Sequence, residues 1–116
     1  MSTFTDPRHE LEPEEVADLL ERGEIELIDV REHYEREAGY IEGSRHIELE
    51  RLAANADTIA RDRRVVFQCR LGSRSGMAAQ AFRASGYDAW NMTGGLEEWV
   101  HRGLPIAPDD GYVAEH

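Results

Sequence analysis

At 116 residues the chain has room for one compact domain with a single buried core, and its 41% hydrophobic and 32% charged content is that of a folded soluble protein. A net charge of −11, carried with arginine but no lysine, argues against nucleic acid and anionic membranes as partners, and no apolar run approaches the ~20 residues that cross a bilayer. Met1–Pro7 has no basic stretch followed by an apolar one, so a cytoplasmic location is expected, and the lone cysteine excludes an internal disulfide framework.

Leu11–Gly23 reads as a helix: Pro13 suits its first turn, the acids suit its positive end, and Gly23 stops it. Val16, Leu19 and Leu20 form its apolar stripe. Glu24–Val30 reads as a strand, and residues 31–38 as a short polar helix. Gly39 and Gly43 bracket a turn-rich link, Arg45-His46-Ile47 is a short strand, and Leu49–Ala60 holds helical turns. Val65-Val66-Phe67 is continuously apolar, as in a parallel strand buried on both faces. A helix through Gly76–Phe82 stops at Ser85-Gly86, and Tyr87–Met92 is the next strand. After the Gly94-Gly95 turn, Leu96, Trp99 and Val100 mark one face of a last helix, with His101 and Arg102 at its negative end and Gly103 and Pro105 ending it. The polar tail, Asp109–His116, is expected to fray. This alternation predicts an α/β domain, a mostly parallel sheet with helices on both faces and its ligand beyond the carboxyl ends of the strands.

The chemistry concentrates where the most buried strand ends. Residues 65–75 read Val-Val-Phe-Gln-Cys-Arg-Leu-Gly-Ser-Arg-Ser. A strand, a tight loop and a helix place Cys69 in a cradle of backbone N–H groups at a helix N-terminus, where a thiolate is stabilised and an anion is bound. Gly72 permits the sharp turn, Ser73 or Ser75 can cap the helix, and Arg70 and Arg74 favour the thiolate if they point inward. The bland alternative is a plain strand-to-helix connection with surface arginines around a small buried hydrophobe. Four residues separate Cys69 from Arg74. Cysteine-dependent phosphatases place one residue more between nucleophile and arginine, so this smaller ring suits a single sulfur atom better than a phosphate.

Four stretches then carry a family likeness. Asp29-Val30-Arg31-Glu32, Gly39-Tyr40-Ile41-Glu42-Gly43-Ser44 with His46-Ile47, the loop Cys69–Ser75, and Gly86-Tyr87 with Gly94-Gly95-Leu96 and Trp99 together resemble the rhodanese family across residues 9–106. Tyr40, Glu42 and Ser44 depart from its usual His, Pro and Ala. The resemblance implies one domain over residues 1–116, with a core at about 9–106, flexible termini and five mostly parallel strands. It also implies a sulfurtransferase with Cys69 as persulfide carrier, and Arg70, Leu71, Gly72, Ser73, Arg74 and Ser75 holding a small anionic donor such as thiosulfate. Asp29 is expected to orient a loop arginine, and Arg31 to brace the domain or form an ordinary surface pair.

With no second cysteine, the acceptor must come from outside: cyanide, a thiol, or a protein partner's thiol. A persulfide relay serving a protein is the main alternative to the enzyme, followed by phosphatase or arsenate reductase chemistry and by a silent regulatory domain. No cofactor is expected. The histidines have no metal spacing, so no metal site is expected either. Leu96 and Trp99 read as core, Trp90 as core or site, and Asn91-Met92-Thr93 as an accidental match to a glycosylation acceptor.

Overall fold

The computed structural model describes residues 8–116; Met1–Pro7, where no signal segment is read, lies outside them. Five parallel strands form one sheet: β1 (Glu10–Leu11), β2 (Ile25–Asp29), β3 (Arg45–His46), β4 (Arg64–Gln68) and β5 (Ala89–Met92), in the order β1-β5-β4-β2-β3. Among the described residues the helices are α1 (Pro13–Glu21), α2 (His33–Ala38), α3 (Ser73–Ala84) and α4 (Gly95–His101), and 3-10 turns span Leu49–Arg51 and Ala53–Thr58. The chain thus has the five-stranded parallel sheet with helices that the family resemblance implies.

β4 is central because every one of its residues is buried, and it pairs along its full length with β2, from Ile25↔Arg64 to Asp29↔Gln68. Its alternating side chains feed two cores. Val65 and Phe67 join Ile28, Ala78, Ala79 and Phe82 beneath α3, while Val66 joins Leu27, Val16, Leu96 and Trp99 beneath α1 and α4. A strand covered on both faces reads as an unbroken apolar run, which is what made this one legible. Burying each large aliphatic or aromatic side chain contributes roughly 1.5–3 kcal/mol.

Two expectations change at the edges. β1 is an extra strand of two residues, paired to β5 through Glu10↔Asn91 and Leu11↔Met92, where the helix was expected to begin. The C-terminal tail does not fray. Tyr112 N–H donates to the Ala38 carbonyl at 2.9 Å, Tyr34 Oη donates to the Glu115 carbonyl at 2.9 Å, and Ala114 is buried. These contacts fold the tail over α2, with His116 Nε2 2.8 Å from Glu32 Oε2.

Candidate active site

Cys69 directly follows β4, at the carboxyl end of the central strand, and is fully buried. Gly72, at φ 101°, turns the chain into α3. Two N–H donors and a hydroxyl reach the sulfur: Gly72 N–H at 3.1 Å, Ser75 N–H at 3.4 Å and Ser75 Oγ at 3.3 Å. The start of α4 explains why these amides face inward. Leu96 N–H donates to the Cys69 carbonyl at 2.8 Å and Glu97 N–H to the Arg70 carbonyl at 3.0 Å, so the carbonyls face outward. The sulfur also packs in the apolar core beneath α3, but its polar partners are those a thiolate requires.

The serines do not cap α3. Gly72 precedes the helix in a left-handed conformation with no side-chain cap, and Ser75 is turned inward to the sulfur and to Asn91. Ser73 and Leu71 lie on the outer side. With Arg70, Arg74 and His116 they line a cavity of about 100 Å³ over the loop. The Cys69 thiol does not line it. A larger apolar groove of about 480 Å³ between the 3-10 turns and α3 includes no residue of the Cys69–Gly72 loop.

Both loop arginines already hold carboxylates. Arg74 donates to the two oxygens of buried Glu35 at 2.9 and 3.0 Å, and Arg70 pairs with Glu97 at 3.1 Å. Burial alone pushes the Glu35 carboxyl up. The Arg74 guanidinium, the Glu32 N–H and nearby Arg31 outweigh that effect and hold it below the usual carboxylate range.

Asp29 does not orient a loop arginine, which corrects the expectation from sequence. It accepts from Arg31 Nε at 2.9 Å and Nη2 at 2.8 Å, and from Arg36 Nη1 at 3.4 Å. Asp29 and Arg31 sit two residues apart on one strand end and pair with each other, while α2 carries Glu35 across to α3. Arg31 is no ordinary surface pair. It is fully buried and also donates to the Gly39 carbonyl at 2.7 Å, bracing β2 against the end of α2. His46 packs against the same segment, its Nε2 2.7 Å from the Arg31 carbonyl.

Trp90 belongs to the core. Arg64 lies over its ring at 4.3 Å, and its Nε1 donates to Asp88 at 2.7 Å. Among the described residues, Glu32, Glu35 and His116 bring ligand-type atoms within 4.8 Å of one another. Arg74 occupies both oxygens of Glu35, which sets that group against a cation. Sequence reasoning missed Glu35, Asn91, Glu10 and His116 around the loop. The Glu32-x-x-Glu35 spacing was a weak signal for Glu35, whose Oε1 accepts the Glu32 N–H at 3.0 Å.

This strand-loop-helix cradle on a parallel sheet defines a class, and the comparisons agree. The chain belongs to the rhodanese-like domain family, whose model matches residues 12–102. It is 32% identical over 97 residues to the thiosulfate sulfurtransferase GlpE of Pseudomonas aeruginosa, covering 83% of this chain and 87% of that one. It is 41% identical over 75 residues to the uncharacterized protein YqhL of Bacillus subtilis, covering 64% of this chain and only 60% of that one. A rhodanese-related protein of Thermoplasma volcanium shares the fold, with a TM-score of 0.80 at 23% identity over 85% of this chain and 97% of that one. No helix among the described residues is long and apolar enough to cross a membrane.

Proposed function

We propose that the protein transfers a sulfane sulfur from a small anionic donor such as thiosulfate, through a Cys69 persulfide, to cyanide or an external thiol. The Cys69 thiolate attacks the outer sulfur of thiosulfate. The new Sγ–S bond forms as the S–S bond to the sulfonate breaks, and sulfite leaves with the electron pair. The acceptor then takes the outer sulfur and returns the thiolate. Two half-reactions through one covalent intermediate predict ping-pong kinetics. The reading rests above all on one observation: the backbone N–H groups of Gly72 and Ser75 converge on Sγ while the carbonyls of Cys69 and Arg70 are held away by α4. The setting we propose is cytoplasmic, with no nucleic acid, membrane or cofactor involved.

Intact-protein mass spectrometry after exposure to thiosulfate tests the covalent step. Wild type is expected to gain one sulfur atom and Cys69→Ser none; an unchanged wild type, or equal gain in the variant, refutes it. A second reading, a persulfide relay serving a protein thiol, is favoured by the pairing of Arg70 with Glu97 and Arg74 with Glu35, which leaves little free positive charge for a dianion. Robust steady-state turnover of thiosulfate and cyanide supports the enzyme, whereas loading without turnover supports the relay.

A further inference from the structure

Ser75 has one hydroxyl hydrogen and two groups competing for it. Its Oγ lies 3.3 Å from Cys69 Sγ and 2.5 Å from Asn91 Oδ1. The Asn91 amide is not free to turn round. Its Nδ2 donates to both oxygens of Glu10 at 3.2 Å and to the Gly72 carbonyl at 3.1 Å, which assigns Oδ1 to the Ser75 side. Glu10 is itself anchored, accepting from Thr93 Oγ1 at 2.9 Å. An amide oxygen only accepts, so the shorter contact takes the hydrogen and Ser75 Oγ turns a lone pair toward the sulfur. That arrangement suits a thiol or an uncharged divalent sulfur, and it lessens, without abolishing, the help that Ser75 gives a thiolate. For Ser75 to serve the thiolate fully its hydrogen must swing to Sγ, leaving Asn91 Oδ1 facing a bare oxygen where both side chains are buried.

We propose that Asn91 is a positioning residue which, by holding the Ser75 hydrogen, opposes the free Cys69 thiolate and favours the state in which Sγ is uncharged. Sulfur loading creates that state: the thiolate pair becomes the Sγ–S bond, sulfite departs with its own pair, and the negative charge moves to the outer sulfur. This consequence rests on the persulfide reading above; the effect on thiol ionisation does not. Other charges surround the loop: Arg70 with Glu97 of α4, Arg74 with Glu35 of α2, Glu32 with His116 of the tail, Asp29 with Arg31 and Arg36 beside β4, and Glu10 behind Asn91. None of these charged residues is substituted in the variants below.

The test is the rate of Cys69 alkylation by iodoacetamide against pH in Ser75→Ala, Asn91→Ala and the double variant. Ser75→Ala, which removes a donor, is expected to move the ionisation midpoint up by about one pH unit, and Asn91→Ala, which frees that donor, to move it down by up to about one. In the Ser75→Ala background, Asn91→Ala is expected to have no further effect, because the two act through one hydrogen. Asn91→Leu, of similar size, replaces Asn91→Ala if the smaller side chain does not support folding. Shifts of one sign in both single variants, or an undiminished Asn91 effect without Ser75, overturn the proposal. Mass spectrometry at a fixed thiosulfate-to-sulfite ratio is expected to find a smaller persulfide fraction in Asn91→Ala than in wild type, and an equal or larger fraction counts against it. A wild type that never loads refutes the persulfide reading, while the alkylation series still decides the role of Asn91.

Discussion

Gly95 shapes the sulfur site without touching the sulfur. It sits at φ 65°, and a Cβ there would press inside contact distance of the Cys69 and Arg70 carbonyls, which are backbone and cannot swing aside. Those are the carbonyls that accept from Leu96 and Glu97, so the bare glycine lets α4 approach and fix which way the loop peptides face. Gly95→Ala is expected to cost roughly 2–5 kcal/mol, from the left-handed backbone and the overpacking together. It is also expected to slow both alkylation and sulfur loading of Cys69. Gly23→Ala is the control, because Gly23 has φ 70° but open space where the Cβ would go. It should lose only the backbone part, about 1–2 kcal/mol, and load normally. Thermal denaturation together with alkylation rates checks both, and normal loading in Gly95→Ala would show that the carbonyl anchors are dispensable.

At the scale of elements, sequence was informative where a pattern is local and poor where the partner is remote. The apolar run Val65–Phe67 marks β4, and the acidic first turn with Val16 and Leu19 marks α1, because periodicity is carried by the residues themselves. Two residues carry no periodicity, so β1 left no signal and its second residue, Leu11, was read as the start of the helix. Residues 31–38 were legible as a short helix, but nothing local says that Glu35 meets Arg74 from a distant turn. Asp29 was the more obvious candidate because it ends the strand beside β4. The Glu35–Arg74 pair joins α2 to α3 with Glu35 fully buried and Arg74 mostly so, and removing the carboxylate is expected to cost about 3 kcal/mol. Its pH dependence has a definite sign. The folded carboxyl is held below the unfolded value of about 4.3, so its contribution is complete above that pH and is lost as pH falls through the lower folded value. Urea unfolding from neutral pH downward should show wild type losing stability in that acid window and Glu35→Gln, less stable at neutral pH, losing less. Parallel acid curves for the two proteins would remove Glu35 from the account.

At the scale of the whole molecule, the alternation of strands and helices was enough to expect a parallel sheet with its site at the strand ends, but not to foresee how charge is arranged around that site. Arg70 and Arg74 looked from sequence like free cations for an anionic donor; folding supplies Glu97 and Glu35 to meet them. The local field is therefore close to balanced, and the −11 of the whole chain governs the approach of a dianion. The described residues extend 37 × 35 × 23 Å. At 0.01 M salt the screening length is about 30 Å and the whole surface repels thiosulfate; at 0.15 M it is about 8 Å and only the paired charges at the mouth are felt. Turnover with thiosulfate at sub-saturating concentration is therefore expected to rise as salt is added, by roughly two- to fivefold across that range. The acceptor half-reaction supplies the internal comparison, because the attacking cyanide ion carries one negative charge against two on thiosulfate and its step should respond less. Rates for the two half-reactions, measured separately against ionic strength, decide the point. If salt slows thiosulfate uptake, the guanidinium groups attract the donor in spite of their carboxylate partners, and the relay reading loses the observation that favours it.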